Sequence, residues 1–300
     1  MLRNKADIRS IGFMLVATAI LIIMWNYGLD LPWYAFIPLY IIQLQSAVSV
    51  AVMVHNHQHL PMWTNKIMNY FTDTWLTMFY GFPIFAWIPT HMTNHHVNIN
   101  TEEDYTRTYR ISKKNNLLTL ITYPSLSGMW QQSAVVRFFI DTYKRNKSRF
   151  YTQLFQILSL VAFVLVAFIL DWKKALLFVF IPQQVSLYSV LIFNYVQHVH
   201  ADENTKYNNS RNMTGWLLNF LLINNGYHMA HHLYPKVHWA DLPKKHKEIE
   251  DKIHPDLIEN DFGWWLLKTY VLSIFISKYR SKQMRFENET EQPKLVESAA

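Results

Sequence analysis

Four long apolar runs without a single Asp, Glu, Lys or Arg constrain this chain more than any other feature of its sequence. They extend over Ser10–Leu29, Leu31–Asn65, Phe150–Leu170 and Ala175–Ala201. Crossing about 30 Å of hydrocarbon at about 1.5 Å per residue requires about 20 helical residues. The runs therefore predict four membrane-spanning helices over residues 8–28, 31–54, 150–172 and 175–196, rather than buried helices of a soluble enzyme.

The turns and the basic residues predict how these spans are arranged. Short turns at Gly28–Pro32 and Asp171–Lys174 pair the spans as two hairpins. All but two of the 28 lysines and arginines then lie on one side of the membrane, which is the cytoplasmic side by the positive-inside rule. Both termini are therefore expected in the cytoplasm. The basic pI of about 9.3 reflects this topology and does not indicate a nucleic-acid partner.

The remaining segments do not suggest a second domain. Residues 1–286 are expected to form one all-α integral membrane domain, and the polar stretch 287–300 is expected to be disordered. The chain has no cysteine, which excludes disulfides, zinc–thiolate sites and thiol catalysis. Histidine, with 14 copies, is instead the abundant metal-binding residue.

Eleven of the 14 histidines fall in four short clusters, and the predicted topology puts all four on the same side of the membrane. The clusters are HNHQH at residues 55–59, HMTNHH at 91–96, NYVQHVH at 194–200 and HMAHH at 228–232. Two of them lie at the predicted cytoplasmic ends of the second and fourth spans. Such a concentration of one ligand type predicts a metal centre.

Helical spacing identifies nine of these histidines as candidate ligands. Side chains four residues apart lie on one face of a helix, where two imidazoles can bind one ion. The pairs His55/His59 and His91/His95 have this spacing. The full candidate set is His55, His59, His91, His95, His96, His198, His228, His231 and His232. Because one ion takes three or four protein ligands, nine histidines suffice for two ions.

Other polar residues near the clusters are given neighbouring or structural roles. His57 lies about 200° around the helix from His55, so His57, and likewise His200, is expected to support the ligands rather than bind metal. The acidic residues 102–104 either orient ligand histidines or form a solvated loop. Three further histidines in a Lys- and Glu-rich stretch are expected at the surface: His238, His246 and His254.

The ligand type and its location limit the chemistry. Imidazole binds zinc, copper, nickel and iron, and no carboxylate lies within the clusters to bridge two metals. A metal pair beside a membrane indicates a lipid substrate. Breaking an unactivated C–H bond requires oxygen activated by iron or copper, because zinc has no redox chemistry. A transporter is the alternative from another class, but its ion sites would lie near the bilayer midplane rather than at span ends.

The boxes HNHQH, HMTNHH and HMAHH, with their separations around two hairpins, resemble those of the membrane fatty acid desaturase/hydroxylase superfamily. The text NNGYHMAHHLYP at residues 224–235 also resembles bacterial members, and the resemblance covers about Ile8 to Asp251. It implies four transmembrane helices with a cytoplasmic helical cap that holds two irons. It also implies His198 as an additional ligand and Asn194 as a ligand through water.

The same resemblance implies that O₂ is a co-substrate and that two electrons come from a separate ferredoxin, rubredoxin or b-type cytochrome. Our first hypothesis for the reaction is desaturation of a fatty acyl chain. The alternative is a hydroxylase, or a terminal-alkene-forming decarboxylase, that acts on an alkane, fatty acid or carotenoid with the same two irons. NYVQH resembles the alkane hydroxylase signature as much as that of desaturases. Four glutamines within the spans are candidates for the wall of a substrate tunnel or for helix–helix hydrogen bonds: Gln43, Gln45, Gln183 and Gln184.

Overall fold

The structure, a computed structural model, describes residues 1–285, and these residues are mostly helical. The predicted fold class is confirmed, because four segments among them are long and apolar enough to cross a membrane: Lys5–Asp30, Trp33–His59, Lys147–Leu170 and Trp172–His198. The second and fourth continue beyond the predicted ends at residues 54 and 196, so they include His55, His59 and His198. The predicted disordered tail, 287–300, lies outside the described residues.

The long helices are separated by short helical turns. The main α-helices are Ile8–Tyr27, Trp33–His59, Lys66–Tyr80, Leu117–Arg145, Lys147–Leu170 and Ile181–His198. Shorter α-helices are His96–Asn98, Trp172–Lys174, Trp216–Leu221, His228–Leu233, Leu242–Lys247 and Phe262–Leu266. Three segments are π-helical: Ile88–His95, Ala175–Phe180 and Leu267–Val271. Two short parallel strands, Asn212–Met213 and Ile258–Glu259, pair with each other.

The described chain forms two compact units. Unit 1 comprises Met1–Met92 and Gln131–Val190, and unit 2 comprises Thr93–Trp130 and the chain from Leu191 onward. Unit 1 therefore contains the first three spans and most of the fourth. Unit 2 contains the third and fourth histidine clusters and, from the second cluster, His95 and His96.

The first hairpin of unit 1 packs closely around a glycine. Met24 is fully buried and forms a cluster with Ile20 and Phe178. A Cβ atom at Gly28 would lie 2.6 Å from the Phe178 ring, so no larger residue fits there without movement. Many other apolar side chains of the spans are exposed on the protein surface, as expected for helices that face lipid.

Two of the predicted glutamines hydrogen-bond between helices of unit 1. Gln43 Nε2 donates to the Phe178 carbonyl at 2.9 Å, within the π-helix Ala175–Phe180. Gln183 Nε2 donates to the Met78 carbonyl at 2.7 Å, near the end of the helix Lys66–Tyr80. Carbonyls at helix ends and in π-turns lack ordinary α-helical partners, and amides within spans satisfy them. Both side chains also line a small pocket of unit 1.

Buried polar side chains link the segments of unit 2 through hydrogen bonds to main-chain groups. Arg211 is buried and donates to the carbonyls of Val196 and Val199. Asn219 donates to the carbonyls of Met213 and Gly215 and accepts from the Gly226 amide. These contacts hold the segments on either side of the third and fourth histidine clusters.

Candidate metal centre

Unit 1 brings three predicted ligands together. His55 and His59 lie in the last turn of the helix Trp33–His59, and His59 Nε2 is 3.1 Å from His91 Nε2. The His55 ring centroid lies 4.9 Å from that of His59 and 4.7 Å from that of His91. The Trp87 ring packs against both His55 and His91. As predicted from their i, i+4 spacing, His55 and His59 therefore lie close together at the end of this helix.

Unit 2 brings four predicted ligands together: His95, His198, His228 and His232. One ring nitrogen of each lies within 4.8 Å of one from every other member, and all four residues are buried. The Nε2 atoms of His198 and His228 are 2.9 Å apart, and His232 Nε2 lies 3.2 Å and 3.0 Å from them. We call this set the four-histidine group.

The predicted pairing of His91 with His95 in the second box is not formed. The sequence spacing predicts that His91 and His95 bind one ion from a shared α-helical face, but His91 lies with His55 and His59, whereas His95 belongs to the four-histidine group. The physical reason is that Ile88–His95 is a π-helix. In a π-helix, residues five apart rather than four apart are joined by the main-chain hydrogen bonds, so the facing of the side chains changes.

The remaining two candidates form a pair in unit 2. His96 Nε2 lies 3.0 Å from His231 Nε2. His231 is separated from the four-histidine group although it lies between His228 and His232 in the sequence. The i, i+4 pair His228/His232 shares one helical face, and His231 projects from another.

The chemistry of the four-histidine group fits a cation. His198 Nδ1 donates to the Asn209 carbonyl at 2.9 Å, which leaves the lone pair of Nε2 directed toward His228 and His232. Burial and the four neighbouring imidazoles hold the pKa of His232 well below its usual range. Two nitrogens that bind one ion at about 2.1 Å lie about 3.0–3.4 Å apart, which is close to the observed spacings. A metal ion would satisfy these converging lone pairs.

Asp104 orients one member of the group. Its carboxylate is buried, lies 2.7 Å from His95 Nδ1 and accepts hydrogen bonds from the Asn100 and Thr106 amides. Burial raises the pKa of Asp104, but the His95 ring and the hydrogen bonds outweigh burial and hold that pKa below its usual value. The carboxylate is therefore ionised and fixes the ring so that His95 Nε2 faces the group.

The other acidic residues of this loop behave differently. Glu102 and Glu103 are exposed, and Glu102 pairs with Arg107. One of the three acidic residues thus contacts a candidate ligand histidine, and two form the solvated part of the loop.

The two histidines assigned supporting roles contact main-chain and carboxylate groups. His57 Nδ1 accepts from the Met62 amide, and its Nε2 lies 3.0 Å from Asp73. The His200 ring lies between Lys113 and Ser281, with its nitrogens 3.1 Å and 3.2 Å from their carbonyl oxygens. Neither ring belongs to the four-histidine group.

Asn194 is held one turn before His198. Its Nδ2 donates to the Tyr123 hydroxyl at 2.7 Å and to the Thr106 carbonyl at 3.3 Å. Its assignment as a ligand through water stays a prediction. Tyr123, Thr106 and Asn209 were not identified from the sequence, because a single tyrosine, threonine or asparagine outside a motif carries no pattern.

Two of the histidines expected at the surface are buried. The prediction is wrong for His238 and His246, of which the latter packs its ring against Tyr227. A Lys- and Glu-rich composition indicates a surface helix, but one face of such a helix still packs inward. His254 is exposed, as predicted.

Comparison with known proteins agrees with the geometry. No curated protein sequence matches the chain. The model of the family described as "Fatty acid desaturase" matches residues 31–259, which is well over half of the sequence and includes all four histidine clusters. The chain therefore belongs to the fatty acid desaturase family.

Proposed function

We propose that this chain is a membrane-bound fatty-acyl desaturase that uses O₂ and two electrons to introduce one double bond into an acyl chain. Membership of the family makes it a desaturase- or hydroxylase-type oxidoreductase. The observation that carries the finer proposal is the four-histidine group, in which four buried imidazoles converge within 4.8 Å. Four candidate spans in the same chain support a lipid substrate.

The nine histidines of the candidate set would hold two iron ions, with Asn194 acting through water. Iron, unlike zinc, changes oxidation state and so supplies the activation of oxygen that removal of hydrogen from a methylene needs. Asp104 holds His95, and the Asn209 carbonyl holds His198, each through Nδ1. Such contacts fix the ring orientation and raise the basicity of the ligand nitrogen.

Burial of the ligands supports oxidative rather than hydrolytic chemistry. His95 and His198 have no solvent-accessible surface, and His228 is nearly as buried. Exclusion of water protects a reactive oxidant from side reactions. A desaturase must also hold two adjacent carbons of a flexible chain in place, whereas a hydroxylase presents one.

The partners and the orientation belong to the same proposal. A separate ferredoxin, rubredoxin or b-type cytochrome would supply the electrons. Both termini and the metal centre would face the cytoplasm, where nearly all basic residues lie by the positive-inside rule. Residues 1–286 would act as one domain.

Lipid analysis of a host that expresses the chain tests the reaction. We expect gas chromatography of fatty acid methyl esters to show a monounsaturated chain with one dominant double-bond position. The matched control is His232→Ala, which keeps the spans and removes one member of the four-histidine group, and it should give no new product. Hydroxylated chains, or a terminal alkene in the headspace without internal unsaturation, would contradict the desaturase proposal and support the alternative reaction.

A further inference from the structure

The C-terminal part of unit 2 contains a helical segment that is apolar on its exposed face. Residues 262–276, called the apolar segment below, comprise the α-helix Phe262–Leu266, the π-helix Leu267–Val271 and the 3₁₀ turn Leu272–Ile274. Lys268 is the only charged residue of the segment, and it pairs with Glu259 at 3.2 Å. The segment is shorter than the about 20 residues that a membrane-spanning helix requires.

One face of the apolar segment is fixed against unit 2. Trp265 is buried, and the centroid of its ring lies 4.9 Å from the guanidinium carbon of the buried Arg211. Tyr270 is buried as well and contacts the Trp265 ring edge-on. The Asp261 side chain accepts from the Trp264 amide and so caps the start of the segment. The apolar segment is therefore a fixed part of the fold, and its other face cannot turn inward.

The other face carries large apolar side chains that the described chain leaves exposed. Four of them follow a helical spacing of three, four and three residues: Trp264, Leu267, Val271 and Ile274. The next residue, Phe275, is 82% exposed. Single exposed apolar side chains are normal on protein surfaces, whereas a continuous stripe of them indicates contact with a partner or a membrane.

A second set of exposed apolar side chains lies beside the start of this stripe. The two paired strands precede the helix Trp216–Leu221 and the apolar segment, so these two elements start next to each other. The exposed side chains of that helix are Trp216, Leu217 and Phe220. Each set thus contributes one exposed tryptophan, which is the residue enriched at the boundary between hydrocarbon and head groups.

The apolar segment starts at the level where the fourth span leaves the hydrocarbon. The ring of its first residue, Phe262, stacks on Phe193 with a centroid distance of 5.2 Å. Phe193 follows Trp172, the first residue of the fourth candidate span, by 21 residues. This is close to the number of helical residues that crosses the hydrocarbon, about 20. A stripe that starts here lies beside the bilayer and not in distant solvent.

Two basic residues follow the stripe without an acidic partner. Lys278 and Arg280 are exposed, and neither takes part in an ion pair of the described chain. Lysines and arginines at the border of an apolar face contact phosphate head groups while the face contacts hydrocarbon. The charge and the apolar stripe therefore fit the same partner, a phospholipid surface.

We propose that the exposed face of the apolar segment inserts into the membrane leaflet at the histidine end of the spans, with Lys278 and Arg280 at the head groups. A bilayer fits this face better than a protein partner does, because a protein interface carries several hydrogen bonds. The Trp264 indole is the only side chain of the stripe that can form one. The inserted segment would tie the part of unit 2 around Arg211 to the membrane surface.

The lack of cysteine in the chain allows a single introduced thiol to report on this face. Leu267→Cys and Phe275→Cys lie on the stripe, and Lys206→Cys, at an exposed charged position of unit 2, is the control. Each variant of the full chain would be labelled with the fluorophore NBD and placed in phosphatidylcholine nanodiscs, which are open to solvent on both sides. Quenching by phosphatidylcholine that is spin-labelled near the head group is then compared with quenching by aqueous iodide.

Lipid and water should reach the two kinds of site in opposite order. We expect the spin-labelled lipid to quench the stripe sites about twofold or more above the Lys206 site, because an inserted face lies about 5–10 Å into the boundary between head groups and acyl chains. Iodide should quench the Lys206 site more strongly. Strong iodide quenching at the stripe would overturn the proposal, because the face would then lie in water.

Weak quenching of the stripe by both agents would also overturn the proposal. Protein would then cover the face, either from the same chain or from a second copy. The measurement needs no iron, oxygen or acyl substrate. Its result therefore stands whether or not the chain is a desaturase.

The double substitution Lys278→Gln and Arg280→Gln tests the head-group contact. Adding phosphatidylglycerol to the nanodiscs should increase lipid quenching at the Phe275→Cys site, and this increase should be lost in the double variant, because the anionic lipid attracts the two basic side chains. Lys206→Gln with Lys252→Gln removes the same charge at exposed positions elsewhere in unit 2 and should retain the increase. An equal increase in all three chains would overturn the head-group contact.

Discussion

His95 shows how a residue outside the histidine boxes orients a candidate metal ligand. Its Nδ1 faces the buried carboxylate of Asp104 at 2.7 Å, and the Thr106 hydroxyl lies 3.0 Å from the same nitrogen. The carboxylate in turn accepts from the amides of Asn100 and Thr106 and from the Thr106 hydroxyl. Three contacts from the loop thus fix Asp104, and Asp104 fixes the ring.

Removal of the Asp104 charge should therefore impair the metal centre. We expect Asp104→Asn, which keeps the shape of the side chain, to lower iron affinity or turnover about ten- to hundredfold. Iron content by mass spectrometry and turnover on an acyl substrate measure the effect. Glu103→Gln makes the same charge change on an exposed neighbour and should have little effect. Full iron content and full turnover in Asp104→Asn would show that His95 does not depend on this carboxylate.

The sequence predicts the candidate ligand histidines better than it predicts the groups that hydrogen-bond to these histidines and orient them. All four members of the four-histidine group are among the nine candidates, but only His228 and His232 are brought together by i, i+4 spacing, since the His91/His95 pairing that nominated His95 is not formed. The partners of His95 and His198 could not be identified in this way. Asn209 contributes a main-chain carbonyl, which every residue has, and Asp104 was one of three acidic residues without a distinguishing pattern.

The π-helices are the elements that the sequence did not predict. Ile88–His95 separates His91 from His95, and Ala175–Phe180 lies at the start of the fourth span. A π-turn has no composition signal, since its stability depends on partners such as Gln43 that satisfy the displaced carbonyls. The span helices were predictable because 20 apolar residues leave few alternatives.

The helix Lys66–Tyr80 ends at a glycine whose conformation and surroundings can be tested by substitution. Gly81 has a φ of +83°, and a Cβ there would lie 2.5 Å from Gln183 Cβ. We expect Gly81→Ala to reduce the free energy of unfolding by about 1–3 kcal/mol, because it strains the backbone and displaces Gln183 from the Met78 carbonyl. Thermal unfolding in detergent measures this loss.

Gly12→Ala is the control for that substitution. Gly12 lies within the helix Ile8–Tyr27, and apart from its chain neighbours and the adjacent backbone of this helix no atom of the described residues lies within 4 Å of a Cβ at this position. Alanine should therefore be neutral or stabilise the helix by about 0.5–1 kcal/mol. Equal effects of the two substitutions would mean that Gly81 is not needed for the turn.

For the whole molecule, the distribution of basic residues predicts the orientation in the membrane. Reporter fusions at Asn146 and at the C-terminus should both give a cytoplasmic signal. A fusion in the turn Asp171–Lys174 should give the opposite signal, because this turn joins the third and fourth spans. Equal signals from the turn and the C-terminus would remove the fourth span from the topology.

The central claim is that the histidines hold two irons, and the iron content of the purified chain tests it most directly. Cells should be rich in iron and poor in zinc, because affinity alone does not select iron. With nine candidate ligands and three or four per ion, we expect about two irons per chain. His57→Ala should keep this number, since His57 contacts Met62 and Asp73, whereas His55→Ala, two residues away on the same helix, should lower it. One iron per chain with full turnover, or loss of iron from His57→Ala as well, would contradict the claim.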